Sequence, residues 1–364
     1  MKGSKLINSI YNRKAGNSGF WIGNPSEDAK NIYLEHFGIE KEVLTEEEKH
    51  YAALSVLTSE KIGKADMLLA QTLKSDLIWL SPELDFLSWK HPEGKPIFDV
   101  LGGRARVSLN DPGVFSETTD VAEVDRFPWP STEYLDFSSN IEKIKKAEEM
   151  DLAVLGGMWC CFFHIACDFF GMEEYFMKMY TDPKVVEAVT DHITDFYLES
   201  NKLYFDLVGD KLTSAFFGND LGSQAACLIS PEFFDRFIAP YAKKIIDQMK
   251  SYGLKVTIHS CGSIYELIPK LIDLGIDCLH PIQAKAIGME PDRLAREFGK
   301  DIIFMGGVDT QDLLTFGTPQ EVKDTVHRLR DIFGENYIVS PSHEALLANV
   351  PLENVLAMSE AAND

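Results

Sequence analysis

The sequence is short of positive charge, of long apolar runs and of nucleotide-binding glycine patterns, and each shortage removes a class of function. Its 35 Lys and Arg face 57 Asp and Glu, giving a formal net charge of −22. Such a surface repels phosphate backbones and anionic lipid heads, so neither nucleic acid nor a membrane surface is an expected partner. The opening residues, MKGSKLINSIYNRKAGNSG, hold no continuous apolar stretch of the kind a secretory leader carries. The longest apolar candidate, Ala153 to Phe170, is interrupted by Gly156, Gly157, His164 and Asp168. It falls short of the roughly 18 unbroken residues a membrane helix needs. The expected compartment is the cytoplasm. There the six cysteines (Cys160, Cys161, Cys167, Cys227, Cys261 and Cys278) read as thiols or metal ligands, not disulfides. No G-x-G-x-x-G follows a first strand, which argues against an open dinucleotide-binding sheet.

What is present is ample apolar material, 45% of 364 residues, spread along the whole chain. The second half repeats one unit, a β-branched or aromatic run followed by an amphipathic helix. The runs are 211–220, 255–262, 276–283, 301–309 and 336–343. Two of the helices are well marked: Ser230 caps 230–253 with Pro231 at its first position, and Thr318 with Glu321 forms a capping box around Pro319. Helices long enough to cross back over a sheet require parallel strands. Three earlier strands, 18–23, 76–81 and 151–159, bring the number to eight. The predicted fold is therefore α/β, a single (β/α)8 TIM barrel over residues 1–364 with an N-terminal helical segment. A Pro- and Gly-rich stretch, 84–134, reads as an insertion with a β-hairpin strand at 104–110, and 44–73 reads as helical, fit for a lid.

In such a barrel the chemistry sits at the carboxyl ends of the strands. The run VTIHSCG places His259 and Cys261 two residues apart, hence on one face of a strand, and both suit Zn2+. The last run, YIVSPSH, delivers His343 to its own carboxyl end. Three protein ligands with an open fourth position is the pattern of a catalytic zinc. An ordinary alternative is that His259 and Cys261 merely fill the barrel interior. Asp220 ends another strand, in FFGNDLGSQ with Asn219, Ser223 and Gln224. It reads as a fourth ligand, a general acid or base, a substrate acceptor, or only a turn cap. Asp309 closes MGGVD as a site residue or a helix cap. Gln283 and His164 are pocket candidates, although His164 lies in an aromatic run and equally suits the core. His280, followed by Pro281, reads as packing or as support for a neighbour.

These residues sit in a longer resemblance. The segments FFGNDLGSQAACLISPEFFDRFIAPYAKKI, IHSCGSIYELIPKLIDLGIDCLHPIQ, FMGGVDTQDLLTFGTPQEV and YIVSPSHEALLANVPLENVLAM resemble the uroporphyrinogen decarboxylase superfamily. Its decarboxylases carry an Arg-rich N-terminal segment that grips porphyrinogen carboxylates; the corresponding SGFWIGNPSEDAKN has no arginine. The resemblance is therefore to the other branch, the zinc-dependent, corrinoid-linked methyltransferases. Those hold zinc with a His-x-Cys pair and a third residue in a late S-P-G-C-type strand. Here Ser340, Pro341, Ser342 and His343 stand in that strand, with His343 in place of the usual Cys. The resemblance implies transfer of a methyl group from a small donor, such as a methoxylated aromatic, to cobalt. Asp220 would protonate the departing oxygen, and Trp21, Trp159 and Phe217 would wall the pocket. No D-x-H-x-x-G corrinoid signature is present, so the cobalamin would arrive on a separate corrinoid protein. A homodimer is compatible with this reading. The rivals are a metal-free decarboxylase, a corrinoid-docking accessory protein and a metal-dependent hydrolase, the last a poor match for H-x-C.

Overall fold

Runs such as AVLG, SAFFG and IFMGGV are apolar at successive positions, as a parallel strand covered on both faces must be. In the computed structural model, which describes residues 1–52, 62–93, 108 and 110–364, they are the staves of a barrel. The strands are β1 Gly19–Phe20, β2 Leu77–Leu80, β3 Ala153–Gly156, β4 Ser214–Gly218, β5 Lys255–His259, β6 Cys278–Ile282, β7 Ile303–Val308 and β8 Tyr337–Pro341. All pair in parallel, in the order β1-β8-β7-β6-β5-β4-β3-β2, and helices surround them. This is the predicted (β/α)8 barrel, with each of the eight strands where the sequence pattern put it.

The ring closes between β1 and β2 through very little. The Asp76 N–H donates to the Phe20 carbonyl at 2.8 Å. The Asp76 carboxylate accepts the N–H groups of Gly3 (2.7 Å) and Phe20 (2.9 Å). A buried carboxylate with two backbone donors thus stands in for the missing rungs, and it ties down the first helix, Gly3–Tyr11. Elsewhere the ladders are regular. Ser214 to Gly218 pair with Lys255 to His259, and Thr257 to His259 pair with Cys278 to His280. That register puts His259 and His280 side by side.

The expected helix at 230–253 is in fact two, Pro231–Phe237 and Ala239–Ser251. The break has a local cause, since Pro240 has no N–H to give to the carbonyl four residues back. The Thr318–Glu321 capping box is present on the helix Pro319–Phe333. A 26-residue helix, Pro183–Val208, packs against the helices Phe162–Phe170 and Ala239–Ser251 and has no counterpart in the sequence reading. Of the proposed lid, Glu46–Ala52 and Lys64–Thr72 are helical. Most of the proposed hairpin strand at 104–110 lies outside the described residues. The described part of 84–134 holds short turns and the helix Val121–Asp125. No helix among the described residues is long and apolar enough to cross a membrane.

Candidate functional site

Strand alternation aims the site. Tyr337 points outward, its ring stacked on Phe333 of the covering helix, so Ser340 faces the interior. By the same period, Thr257 and His259 face inward on β5, and Cys278 and His280 on β6. On β4 the inward residues are Ser214, whose hydroxyl bonds that of Thr257 on the neighbouring strand, and Phe216. The expected aromatic wall residue Phe217 is therefore on the wrong face: it is buried outside the ring, and Phe216 takes the interior place. Its ring lies 6.5 Å from His259 and 5.6 Å from His280. Trp21 and Trp159 do stand at the mouth, Trp21 5.1 Å from the His280 ring and Trp159 5.4 Å from that of His259. Trp79 on β2 joins them, 4.7 Å from Trp159.

Three donors of different chemistry meet above this aromatic floor. The Cys261 sulfur lies 3.1 Å from His259 Nε2, and Asp220 Oδ1 lies 3.2 Å from the same nitrogen. Ligand atoms of all three residues fall within 4.8 Å of one another. A tetrahedral Zn2+ with bonds near 2.0–2.3 Å sets its ligands roughly 3.3–3.7 Å apart, so small adjustments would admit the ion. The S, N, O donor set suits that metal. His343 is not in this group. Its ring stands 6.3 Å from that of His259, in hydrogen-bonding contact with Cys261, while its Nδ1 accepts the Ala345 N–H at 3.1 Å. Asp220, for which a fourth-ligand role was one reading, thus groups with His259 and Cys261, and His343 stands on the far side of Cys261.

The electrostatics follow from the crowding. Burial works to raise the Asp220 carboxyl, but the hydrogen bond and charge of His259 and the Cys261 N–H outweigh it. Asp220 is held well below the usual carboxylate range and is anionic. Burial works to lower His259, yet Glu344, Cys261 and Asp220 together raise it well above an ordinary imidazole. His343 is raised chiefly by its contact with Cys261. His280, fully buried beside His259, is pushed far down by burial and by that neighbour.

The remaining candidates divide. His164 is half-exposed at the mouth, not in the core, and its Nε2 accepts the Asp220 N–H at 2.8 Å. The Asn219 amide is consumed internally, accepting from Phe163 N (2.9 Å) and donating to the Cys160 carbonyl (3.2 Å). It is buried and shapes the loop that carries Trp159. Gln224 donates to Gln283 at 3.3 Å on the rim, and Gln283 in turn holds the Gly262 N–H at 2.7 Å. Asp309 accepts the N–H groups of Gln311, Asp312 and Leu313 and is a cap. The six cysteines are free thiols.

Two carboxylates escaped the sequence reading. Glu344 Oε2 lies 3.5 Å from His259 Nδ1 and 3.7 Å from His343. Its signal was adjacency to His343 at a strand end. Glu83 is buried, accepts the backbone N–H of Trp159 and takes a second bond from the Tyr197 hydroxyl at 3.0 Å. Burial pushes its carboxyl up to about 7. Nothing in SPELD announces that role, because Tyr197 comes from the unanticipated long helix.

Comparison with known proteins follows the same lines. The chain is 24% identical over 192 residues to the methylcobamide:CoM methyltransferase MtbA of Methanosarcina acetivorans, covering 53% of each chain. It is 26% identical over 203 residues to the methylated-thiol–coenzyme M methyltransferase of Methanosarcina mazei, covering 56% of this chain and 51% of that one. It therefore spans about half the length of these curated relatives. It is also 24% identical over 286 residues to the chloroplastic uroporphyrinogen decarboxylase 2 of Arabidopsis thaliana, covering 73% of this chain and 65% of that one. A solved methyltransferase from Methanosarcina mazei shares the fold, with a TM-score of 0.69 at 14% identity over 100% of this chain and 98% of that one. The family profile described as uroporphyrinogen decarboxylase (URO-D) matches residues 100–364. With most of its length under that profile, the chain belongs to the uroporphyrinogen decarboxylase family.

Proposed function

We propose that this protein is a zinc-dependent methyltransferase that moves a methyl group from a small donor, of the methoxylated aromatic class, to the cobalt of a separate corrinoid protein. The observation that carries the reading is the S, N, O triangle of Cys261, His259 and Asp220 above a floor of indole and phenyl rings. The family and the corrinoid and coenzyme M chemistry named for two relatives agree with it.

Bound there, Zn2+ would supply Lewis acidity toward an ether oxygen. Cys261, His259 and Asp220 would hold it, with the Glu344 carboxylate 3.5 Å from the far nitrogen of His259 adding negative charge beside that ring. Trp159, Trp79 and Phe216 exclude water and align a flat substrate. Were the methyl group to pass to a corrinoid carried by the partner, the oxygen it leaves would need a proton. Asp220 is anionic and is better suited to holding the metal than to this step. His343, half-exposed and raised in pKa, is the donor in reach of the mouth. Transfer between a corrinoid and a thiol is the second reading, favoured by the named activities of the relatives.

The test is zinc-loaded protein with cob(I)alamin and either guaiacol or methylated coenzyme M. Loss of the cobalt(I) absorption with guaiacol, abolished by Cys261→Ser, is expected. Turnover only with the thioether favours the second reading. No methyl–cobalt product with either donor overturns both.

A further inference from the structure

His259 and His280 meet Nδ1 to Nδ1 at 3.0 Å. A hydrogen bond between two ring nitrogens carries one hydrogen, so one ring donates and the other accepts. The surroundings decide which. His259 Nε2 faces Cys261 and Asp220, so a metal there takes its lone pair and leaves the hydrogen on Nδ1. His259 then donates, His280 Nδ1 accepts, and the hydrogen of a neutral His280 must sit on Nε2. That nitrogen is fully buried and has no hydrogen-bond partner among the described residues. It has company: Trp79 Nε1 and Ser340 Oγ are also buried and unpartnered. The three side chains come from inward positions of β6, β2 and β8. Phe216 connects two of them, its ring 5.3 Å from Trp79 and 5.6 Å from His280, and Trp21 lies 5.1 Å from His280. Buried donors are almost always satisfied in a folded protein, so unpartnered donors on one ring of inward residues call for an acceptor.

We propose that His280 is a ligand-facing donor: its Nε2–H, with the Trp79 indole N–H and the Ser340 hydroxyl, receives an uncharged oxygen of a small ligand lying against Trp21 and Phe216, and the metal sets the direction of that donor through His259. An ether, hydroxyl or carbonyl oxygen fits. A carboxylate does not, because Asp220 and Glu344 already bring negative charge to the two nitrogens of the neighbouring His259. The inference rests on the metal-bound reading above, but not on methyl transfer.

The experiment uses the full chain, zinc-loaded, with phenol and benzoate as probes and quenching of tryptophan fluorescence as the readout; no corrinoid is present. Wild type is expected to bind phenol at least tenfold more tightly than benzoate. His280→Phe should weaken phenol tenfold or more, and His280→Gln, which keeps an N–H, should recover part of the loss. Ser340→Ala deletes only a hydroxyl and should weaken phenol severalfold, so the test survives if His280→Phe does not fold. Equal phenol affinity in wild type, His280→Phe and Ser340→Ala overturns the proposal, as does a preference for benzoate. Two zinc ions per chain, with one lost in His280→Gln, also overturns it. In that case His280, with His259 and Glu344, holds a second cation.

Discussion

The Asp220 Oδ1 atom stands 3.2 Å from His259 Nε2 and also accepts the Cys261 N–H at 2.9 Å. One carboxylate oxygen thus touches both other members of the donor triangle and joins the loop after β4 to the end of β5. If it ligates zinc, Asp220→Asn should lower zinc affinity at least tenfold in chelator competition, while His343→Ala should change it less. The reverse order would return His343 to the first coordination shell and leave Asp220 as a loop tie.

Gly218 pairs with His259, and a Cβ there would overlap the Trp159 indole. Gly218→Ala should therefore turn Trp159 out of the mouth, at a cost of about 1–3 kcal/mol. Zinc content should hold while apparent affinity for a flat substrate falls. Unchanged tryptophan fluorescence and unchanged binding would show that the indole is not held as the structure places it.

Glu83 makes stability depend on pH. Its carboxyl, fully buried, is raised from the ordinary 4.5 to about 7. The folded protein thus binds this proton more tightly than the unfolded chain does. The contribution is complete below about pH 4.5 and is lost as pH rises through about 7, on the order of 3 kcal/mol. Glu83→Gln removes that slope, with Tyr197 free to reverse its hydrogen bond. Denaturant midpoints of the two proteins should diverge in favour of the variant between pH 5 and 7.5; parallel curves would count against a buried, proton-binding Glu83.

Asp76 receives two buried backbone donors at the barrel join. Asp76→Ala strands both and should cost about 2–5 kcal/mol in urea unfolding. A loss under 1 kcal/mol would mean that the join is held by other contacts.

Much of this was legible in the sequence because it is local. Period, caps and strand ends are written in neighbouring residues, so eight strands and the pair His259 and Cys261 could be read directly. The rest depends on which way a strand faces and on what arrives from far along the chain. Phe216 and Phe217 are indistinguishable as letters; only the inward face of β4 separates them. Nothing near Asn219 in the sequence shows that its amide holds Phe163 and Cys160, which lie more than fifty positions earlier. Glu83 and Tyr197 are 114 positions apart and meet only because the long helix brings Tyr197 back against the segment after β2. Glu344 was hidden by its more conspicuous neighbour.

In the circular order of strands, the thin join between β1 and β2 lies diametrically across from β5 and β6. Were the ring to open at that join, His259 and His280 on the opposite strands would be displaced least. Trp21 and Trp79 ride on the two free edges. Whatever lodges against both indoles then acts as a latch on the ring, and an empty protein should breathe at that edge more than a filled one.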